Sequence, residues 1–299
     1  MLQLMTNNFS VSLDAFPAWP DKRLHKIGIW LHGGAQEAVA ARRLLDQLNR
    51  VHPEARILVI GSRTTLAFFE MDDRVAAYLP IAALEPRRPA QSKIFKYLDD
   101  RAQFKKLGQL QLDACVAVCP NGEASDSEDM RAAERLWRQF VRTTRIKSEM
   151  AIALTWSGNI SRPNDAPVMQ PGPKAIAHAN TIYHQSPPHA VKVLVYLGSC
   201  SESNDLMTQR IQLAQQCVKQ HRDILLGAMG RELFVSLLML ASGDRLQQRR
   251  IADSHSSVTL INWNQLIGHM AYADWVVPLD GAITMIAVEM GRQSAVFPV

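Results

Sequence analysis

Cysteine is scarce in this chain of 299 residues, which contains only four. No two of Cys115, Cys119, Cys200 and Cys217 have the CxxC spacing of zinc and redox motifs. Cys115 and Cys119 belong to the apolar run LDACVAVCP, which predicts buried thiols. This cysteine usage is typical of a reducing compartment and argues against a fold held together by disulfides.

Long apolar runs, a signal peptide and blocks of like charge are also missing. No run approaches the roughly 18 apolar residues of a membrane span, and the start, MLQLMTNNFSVSL, lacks the basic region and apolar core of a signal peptide. We therefore predict a cytoplasmic protein, with peripheral contact at the inner membrane still open. No block of five like charges occurs, so no nucleic-acid partner is expected. The net charge of +5 favours anionic partners such as nucleotides or phosphorylated lipids, unless the basic residues simply cover a solvated surface.

Several catalytic motifs are absent as well. The chain contains no GxGxxG, Walker A, HExxH or GxSxG sequence. Their absence argues against a dinucleotide oxidoreductase, a P-loop ATPase, a zincin and an α/β-hydrolase. The nine histidines show no metal-ligand spacing, so we predict no metal site.

The chain does show a regular alternation of strand and helix patterns. Helical patterns include 127–144 and 232–243, and the basic segment 82–110 is interpreted as a solvated loop, with contact to an acidic acceptor as the alternative. Alternation of this kind predicts the α/β class, with parallel sheets whose ligands collect at the carboxyl ends of the strands. Apolar runs predict strands at 26–32, 55–62, 75–81, 112–120, 149–156, 191–199, 223–230, 257–263, 274–281 and 293–299.

A proline-rich stretch separates the two halves of the chain. Residues 157–189 contain six prolines and predict an irregular linker, interrupted by a short helix at KAIAHANTIY. Domains average roughly 100–200 residues, so a chain of this length predicts two. We assign two Rossmann-like domains to residues 1–157 and 191–299, with a linker at 158–190.

Glu37 is an isolated acid in the stretch IGIWLHGGAQEAVAA, where the first strand is followed by a helix. Gly33 and Gly34, directly after His32, allow a sharp turn and the close approach of a ligand. A carboxylate at a helix N-terminus, kept ionised by the helix dipole, could take a proton from a hydroxyl group. The alternative is an ordinary first-turn glutamate that stabilises the helix.

Two turns in the second half are candidates for phosphate binding. Asp280 and Gly281 lie between a strand and a helix whose first N–H groups could meet a phosphate or a ribose, although Asp280 could equally be an N-cap. Ser199 ends another predicted strand, and with Ser201 and nearby amides it could hold a diphosphate. A plain serine-rich turn is the alternative there.

Together, these segments resemble glycosyltransferase family 9, whose best-known members are the lipopolysaccharide heptosyltransferases. Residues 27–57 align without a gap with the first segment of the family, and Glu37 falls on the family aspartate. Residues 264–299 resemble the last segment, with Asp280 on the aspartate of its Asp-Ser-Gly-Pro loop. The turn GAMGRE is similar to the GAPHEE-type turn of the family, which would bring Glu232 to the donor ribose.

The resemblance implies a GT-B fold, in which two Rossmann-like domains face each other across a cleft, with the acceptor on the N-terminal domain. It implies an inverting transferase without metal or cofactor that moves a sugar from a nucleotide sugar, preferably an ADP-sugar, to a lipopolysaccharide-core or other cell-envelope glycan. Glu37 would be the general base, and His32, Gly33 and Gly34 would form the acceptor-side loop. The donor would be framed by residues of the C-terminal domain, namely Ser199, Ser201, Glu232, Asp280 and Gly281.

Departures from the family pattern leave two alternatives. The family base is usually aspartate, whereas glutamate is the base of the Kdo transferases. These enzymes share the His-to-Glu pattern of His32 and Glu37, but their alignment with this chain requires a one-residue gap. The donor loop usually carries a basic residue soon after the Gly-Ser pair, where this chain has Glu202, Ser203 and Asn204. The alternatives are a Kdo-transferase-like enzyme and a GT-B-like binding or scaffold protein that has lost catalysis. The chain also ends directly after its last predicted strand, whereas GT-B enzymes usually continue with helices.

Overall fold

A computed structural model of the protein describes residues 24–32, 34–84, 93–119, 128–146, 148–153, 168–199, 204–227, 232–241, 245–278 and 281–294. They form two compact units, one before and one after residue 161. Each unit contains one five-stranded sheet, and the paired strands run parallel throughout. The predicted α/β class is therefore confirmed.

The N-terminal unit has the strand order β3-β2-β1-β4-β5. A single 3-10 turn, Ala82–Leu84, follows the third strand. The helices and strands, in chain order, are β1 (Lys26–Leu31), α1 (Ala35–Val51), β2 (Arg56–Gly61), α2 (Arg63–Leu66), β3 (Val75–Pro80), α3 (Lys93–Gly108), β4 (Ala114–Cys119), α4 (Glu128–Thr144) and β5 (Ser148–Ala153).

Aromatic side chains fill one side of this sheet. Trp30 of β1 is fully buried, and its ring stacks on Phe140 of α4 with 4.4 Å between the ring centroids. Phe104 of α3 meets the same indole edge to face at 5.7 Å. Because side chains alternate between the two faces of a strand, α3 and α4 cover the face to which Trp30 points. Large buried rings of this kind contribute much of the apolar area that holds helices on a sheet.

A charged network ties α1 to the segment before β3. Arg42 of α1 donates hydrogen bonds to a carboxylate oxygen of Asp72 at 2.7 Å and to the carbonyl oxygen of Phe68 at 2.9 Å. Arg74 donates to both oxygens of Asp72 and also pairs with Asp46 of α1. The side chains of Arg42 and Asp72 are only 4% and 3% exposed, so this pair is buried and its loss would leave an uncompensated charge.

The C-terminal unit has the strand order β10-β9-β6-β7-β8. Read in the opposite direction, this order repeats that of the N-terminal sheet, with β6 in the place of β1. The elements, in chain order, are α5 (Pro173–Tyr183), β6 (Val191–Ser199), α6 (Asn204–Gln220), α7 (Arg222–Leu226), β7 (Leu233–Leu240), α8 (Arg245–Ser254), β8 (Val258–Ile261), α9 (Trp263–Tyr272), β9 (Trp275–Val277), α10 (Gly281–Glu289) and β10 (Gln293–Ser294).

One aspartate in each unit bonds the central strand to its neighbour in the same way. Asp113, just before β4, accepts hydrogen bonds from the backbone N–H groups of His25 and Lys26 at 2.8 and 3.0 Å. Asp274, just before β9, accepts one from the backbone N–H of Lys192 at 2.8 Å. Asp274 belongs to residues 264–299, which resemble the last segment of the family, and the structure gives it this structural contact.

The predicted linker contains the helix that the sequence indicated. Helix α5 packs closely on α9. The helices are so close that a Cβ added to Gly268 would lie 2.3 Å from the carbonyl oxygen of Ala175. His178 of α5 and His269 of α9 approach each other, with 3.1 Å between Nδ1 and Nε2. Glycine at position 268 therefore permits a backbone contact that no other residue would allow. The linker residues 158–167 lie outside the described part of the chain.

Three sequence-based assignments are corrected by the structure. The predicted helix at 232–243 is the strand β7, and the predicted strand at 223–230 contains the short helix α7, which ends at Gly227 with φ of 59°. The first error arose because a short apolar run such as LFVSLLML fits a buried strand or a buried helix equally well. The predicted loop at 82–110 contains the 16-residue helix α3.

Within the described ranges, no helix has both the length and the apolar character needed to cross a membrane.

Candidate functional site

The first candidate site lies where the N-terminal sheet changes direction. From β1 the chain builds β2 and β3 on one side and then returns to build β4 and β5 on the other. In open parallel sheets, ligands bind at the carboxyl ends of the two strands that flank such a switch point, here β1 and β4. His32 follows β1 directly, and its backbone N–H donates to the carbonyl oxygen of Val118 of β4 at 3.1 Å. The structure thus places His32, Gly34 and Glu37 at the switch point, while Gly33 lies outside the described residues.

Glu37 occupies the third position of α1 and is buried, with 7% of its surface exposed. One carboxylate oxygen, Oε2, accepts a hydrogen bond of 2.7 Å from the backbone N–H of Gly34, the N-cap residue. This is one half of a capping box, since Gly34 has no side chain to complete the other half. The contact supports the helix-stabilising interpretation of Glu37, and it also holds the carboxylate beside the end of β1.

Burial raises the pKa of Glu37 above its ordinary value, while hydrogen bonds from its own backbone N–H and that of Gly34 act in the opposite direction. The sequence suggested that the helix dipole would keep this carboxylate ionised, but desolvation outweighs the hydrogen bonds in the direction of the shift. A carboxylate with a raised pKa is a stronger base once ionised. The site can therefore accept a proton from a neighbouring hydroxyl.

A cluster of hydroxyl groups follows β2 at the same edge of the sheet. Ser62 caps α2, and its Oγ lies 2.7 Å from Oγ1 of Thr64 and 3.2 Å from Oγ1 of Thr65. Gly61 leaves the space for this arrangement, because a Cβ there would lie 2.8 Å from Thr65 Oγ1. The sequence analysis did not single out these residues. The Ser-Arg-Thr-Thr pattern after an apolar strand is the signal that could have identified them.

The second candidate site lies at the corresponding switch point of the C-terminal sheet. From β6 the chain builds β7 and β8 on one side, and β9 and β10 on the other. The carboxyl ends of β6 and β9 therefore flank the switch point. Ser199 is the last residue of β6, and Gly281 begins α10, the helix that follows β9 in the chain. These two predicted donor residues are brought to one edge, whereas Ser201 and Asp280 lie outside the described residues.

A cation that the sequence analysis missed reaches this edge. The pairing of β6 with β7 is irregular between Tyr196 and Ser199, and Gly198 there has φ of 90°. The Nη1 atom of Arg210 on α6 lies 3.5 Å from the carbonyl oxygen of Leu197 and 2.8 Å from the position of a Cβ on Gly198. Gly198 is thus required both by its backbone conformation and by the close approach of the guanidinium.

The family pattern predicts a basic residue within a few positions of the Gly-Ser pair. Arg210 lies eleven positions after Ser199 and does not fit that spacing. Helix α6 returns along the sheet and brings residue 210 back to the end of β6. The available signal was a basic residue inside an apolar stripe, since Met207, Ile211 and Ala214 are buried and lie three positions before and one and four positions after Arg210.

Glu232 does not join the other predicted donor residues. It immediately precedes β7, is exposed, and its carbonyl oxygen accepts a hydrogen bond of 2.9 Å from the backbone N–H of Val191 at the start of β6. It therefore lies at the amino ends of the strands, the edge opposite to Ser199 and Gly281. The GAMGRE turn precedes a strand here, so the equivalence that suggested Glu232 fails. The loop after β7 at the carboxyl edge contains residues 242–244, which are outside the described ranges.

In the part of the chain that the structure describes, no three or more His, Cys, Asp or Glu side chains group closely enough to hold a metal ion.

Comparisons with known proteins agree with this architecture. No protein-family model and no curated protein matches the chain. Among solved structures, the ADP-heptose lps heptosyltransferase II of E. coli is similar, with a TM-score of 0.57 over 90% of this chain and 83% of that chain at 10% sequence identity. A glycosyl transferase family 9 protein from Veillonella parvula gives a TM-score of 0.57 over 91% and 80% of the two chains at 8% identity. The resemblance drawn from the sequence motifs is thus confirmed at the level of the fold: this chain has the α/β GT-B fold, with two Rossmann-like domains, of the family 9 heptosyltransferases.

Proposed function

We propose that this protein is an inverting, metal-independent glycosyltransferase that moves a sugar from a nucleotide-sugar donor to a lipopolysaccharide-core or other cell-envelope glycan. The observation that carries the proposal is the position of the two predicted sites. In a chain with the fold of the heptosyltransferases, Glu37 lies at the switch point of one sheet, and Ser199 and Gly281 lie at the switch point of the other.

Glu37 is proposed to act as the general base. Its carboxylate takes the proton of the acceptor hydroxyl, and the acceptor oxygen forms a bond to the anomeric carbon of the donor sugar. The bond from that carbon to the diphosphate breaks at the same time, and the nucleoside diphosphate leaves with the electron pair. His32, Gly33 and Gly34 form the acceptor-side loop around this base.

The donor diphosphate is proposed to bind at the carboxyl ends of β6 and β9. Ser199, Ser201, Asp280 and the first N–H groups of α10 at Gly281 supply hydrogen-bond partners. Arg210 supplies the positive charge that the loop itself lacks. It would thus replace the basic residue that the family pattern usually has near residues 202–204. A cation beside the leaving diphosphate stabilises the charge that develops on it during transfer.

The similar enzymes support a proposal for the substrates. The E. coli structure is named for ADP-heptose and lps, so an ADP-sugar such as ADP-heptose is the proposed donor, and lipopolysaccharide core the proposed acceptor. Such an acceptor places the protein in the cytoplasm at the inner membrane, as a peripheral protein. Glu37 in place of aspartate keeps a Kdo-transferase-like enzyme as the alternative within this fold.

Thermal stability with and without nucleotide tests the proposal. A ligand that binds only the folded state at 100 times its dissociation constant stabilises it by about 2.7 kcal/mol. We expect ADP to raise the unfolding temperature more than UDP or CMP does. If none of the three nucleotides raises it, the protein is the non-catalytic scaffold, an alternative favoured by the acidic and polar residues at 202–204.

Replacing Arg210 by Ala is expected to weaken ADP binding by at least about tenfold, since a hydrogen bond to a charged group contributes roughly 1.5–3 kcal/mol. Adenosine, which has no diphosphate, should bind equally to the variant and the wild type. Calorimetric titration of both ligands measures the difference. The exposed Arg222 on α7 provides the control variant Arg222→Ala. Equal weakening of ADP and adenosine would show that Arg210 only supports the end of β6.

A further inference from the structure

Helices α3 and α4 enclose a groove of about 1260 Å³ on the N-terminal unit. No acidic side chain is among the described residues that line it. Leu98, which is 52% exposed, contributes an apolar patch. Six exposed basic side chains line it, namely Arg101, Lys105, Arg135, Arg138, Arg142 and Arg145.

The sequence separates two faces of α4 to produce this groove. Trp137 and Phe140 are buried against Trp30 of the sheet. Arg135, Arg138 and Arg142 recur at intervals of three and four residues and therefore share the outer face of the helix. On α3, Arg101 and Lys105 stand one turn apart and complete the array from the other side.

Several basic side chains of this array lie one helical turn apart and repel each other. Like charges three or four residues apart destabilise a helix by a few tenths of a kilocalorie per mole, and the groove contains three such pairs, Arg101–Lys105, Arg135–Arg138 and Arg138–Arg142. These pairs of like charge therefore do not themselves stabilise the helices. Binding of an anionic surface explains the arrangement, because an anionic partner removes the repulsion.

The groove is separate from the candidate active site. Helices α3 and α4 end beside each other, since a Cβ on Gly108 would lie 3.3 Å from Cα of Thr144. The chain then enters β4 and β5, so these helix ends lie at the amino ends of the strands. Glu37 lies at the carboxyl ends, the opposite edge of the same sheet. The array therefore does not belong to the acceptor-side loop.

The lining favours phospholipid headgroups over nucleic acid. Five of the six basic residues are arginines, whose planar guanidinium binds phosphate oxygens in pairs. The exposed Leu98 among them is suited to contact with the apolar boundary below the headgroups. Proteins that bind single-stranded nucleic acid usually stack its bases on aromatic rings, and among the described residues no aromatic side chain lines the groove.

We propose that the α3–α4 groove docks the protein on an anionic phospholipid membrane. This inference rests on the proposed function, because a glycolipid acceptor is held in a membrane that the enzyme must reach. Each basic residue near an anionic leaflet strengthens binding about fivefold, so six of them suffice for reversible attachment.

Co-sedimentation of the full chain with vesicles tests the proposal. We expect binding to vesicles of phosphatidylcholine and phosphatidylglycerol, weaker binding at high salt, and none to phosphatidylcholine alone. The double variant Arg101→Gln with Arg142→Gln should bind about thirtyfold more weakly, and Lys105→Gln with Arg145→Gln should behave alike. The control is Lys219→Gln with Arg222→Gln, which has the same change in net charge on exposed residues of α6 and α7 and should bind as the wild type does.

Three results would overturn the docking surface. The first is that the wild type shows no preference for anionic vesicles, and the second is that the groove and control variants lose vesicle binding equally. The third is that the wild type binds duplex DNA instead of vesicles and that the groove variants lose this DNA binding. The two proposals fail separately. The groove variants should keep the thermal shift caused by ADP, and Glu37→Gln should keep vesicle binding. Vesicle binding without any nucleotide binding would contradict the transferase and leave the docking surface intact.

Discussion

Replacing Glu37 by Gln is expected to reduce sugar transfer by at least about a hundredfold, because general-base catalysis typically contributes 10²–10⁴-fold. The protein should remain folded, since the amide oxygen of glutamine can still accept the hydrogen bond from Gly34 that the carboxylate accepts now. Glutamine is neutral and therefore avoids the free-energy cost of burying a charge, which is the effect that raises the pKa of the Glu37 carboxyl. Release of ADP from ADP-heptose in the presence of a lipopolysaccharide-core acceptor measures the loss.

The controls for this variant separate catalysis from helix capping. Glu54→Gln changes an exposed glutamate just after α1 and should transfer at the wild-type rate. Glu37→Gln should retain the stabilisation by ADP, because the proposed donor site lies in the other unit. In the wild type, transfer should rise with pH through the raised pKa of Glu37, since only the ionised form accepts a proton. Unchanged turnover in Glu37→Gln would leave Glu37 with the capping role alone.

Replacing Asp72 by Ala is expected to destabilise the N-terminal unit by about 3–5 kcal/mol, the usual cost of leaving a buried ion pair without one partner. Arg42, 4% exposed at its side chain, would keep its hydrogen bond to the carbonyl oxygen of Phe68 but lose the carboxylate of Asp72. Hydrogen–deuterium exchange of β1 and β2 in urea reports this unit by itself. The neighbouring exposed Asp73 provides the control, and Asp73→Asn should change stability by no more than about 0.5 kcal/mol.

The pH dependence of this effect has a definite sign. Burial raises the pKa of Asp72, but the hydrogen bonds and charges of Arg74 and Arg42 outweigh it, and the pKa falls below the ordinary 3.8. The contribution of Asp72 is therefore fully present above about pH 4 and is lost as the pH falls through the lowered value. The free energies of unfolding of the wild type and of Asp72→Ala should converge once the pH falls below the lowered pKa of Asp72. A constant difference down to the lowest pH would contradict the assignment.

Most strands of the two sheets could be predicted from the sequence. In one region, however, the predicted strand followed by a helix is a helix followed by a strand in the structure. Buried parallel strands such as β1 and β2 are continuous apolar runs between turn residues, which makes them easy to recognise. The run LFVSLLML has the same character, but its eight residues also fit a helix, and the prediction chose wrongly. The assignment of Glu232 depended on that choice, because a turn placed after a strand would lie at the carboxyl edge.

The parts of the sites that sequence analysis missed depend on tertiary structure. Glu37 and Gly281 lie in the first turns of the helices that follow β1 and β9 in the chain, so topology alone places them at the switch points. Arg210 is eleven residues beyond Ser199 and reaches the end of β6 only because α6 folds back along the sheet. The basic groove likewise combines two helices whose sequences are separated by β4. Local charge counting found no block of like charges there, and only the packing of α3 on α4 creates the array.

A crystal structure of the protein soaked with ADP tests the central claim most directly. We predict ADP at the carboxyl ends of β6 and β9, with its diphosphate next to the Arg210 guanidinium and the first N–H groups of α10. An ADP molecule bound at the opposite edge, beside Glu232, or no bound ADP at a saturating concentration, would contradict the account.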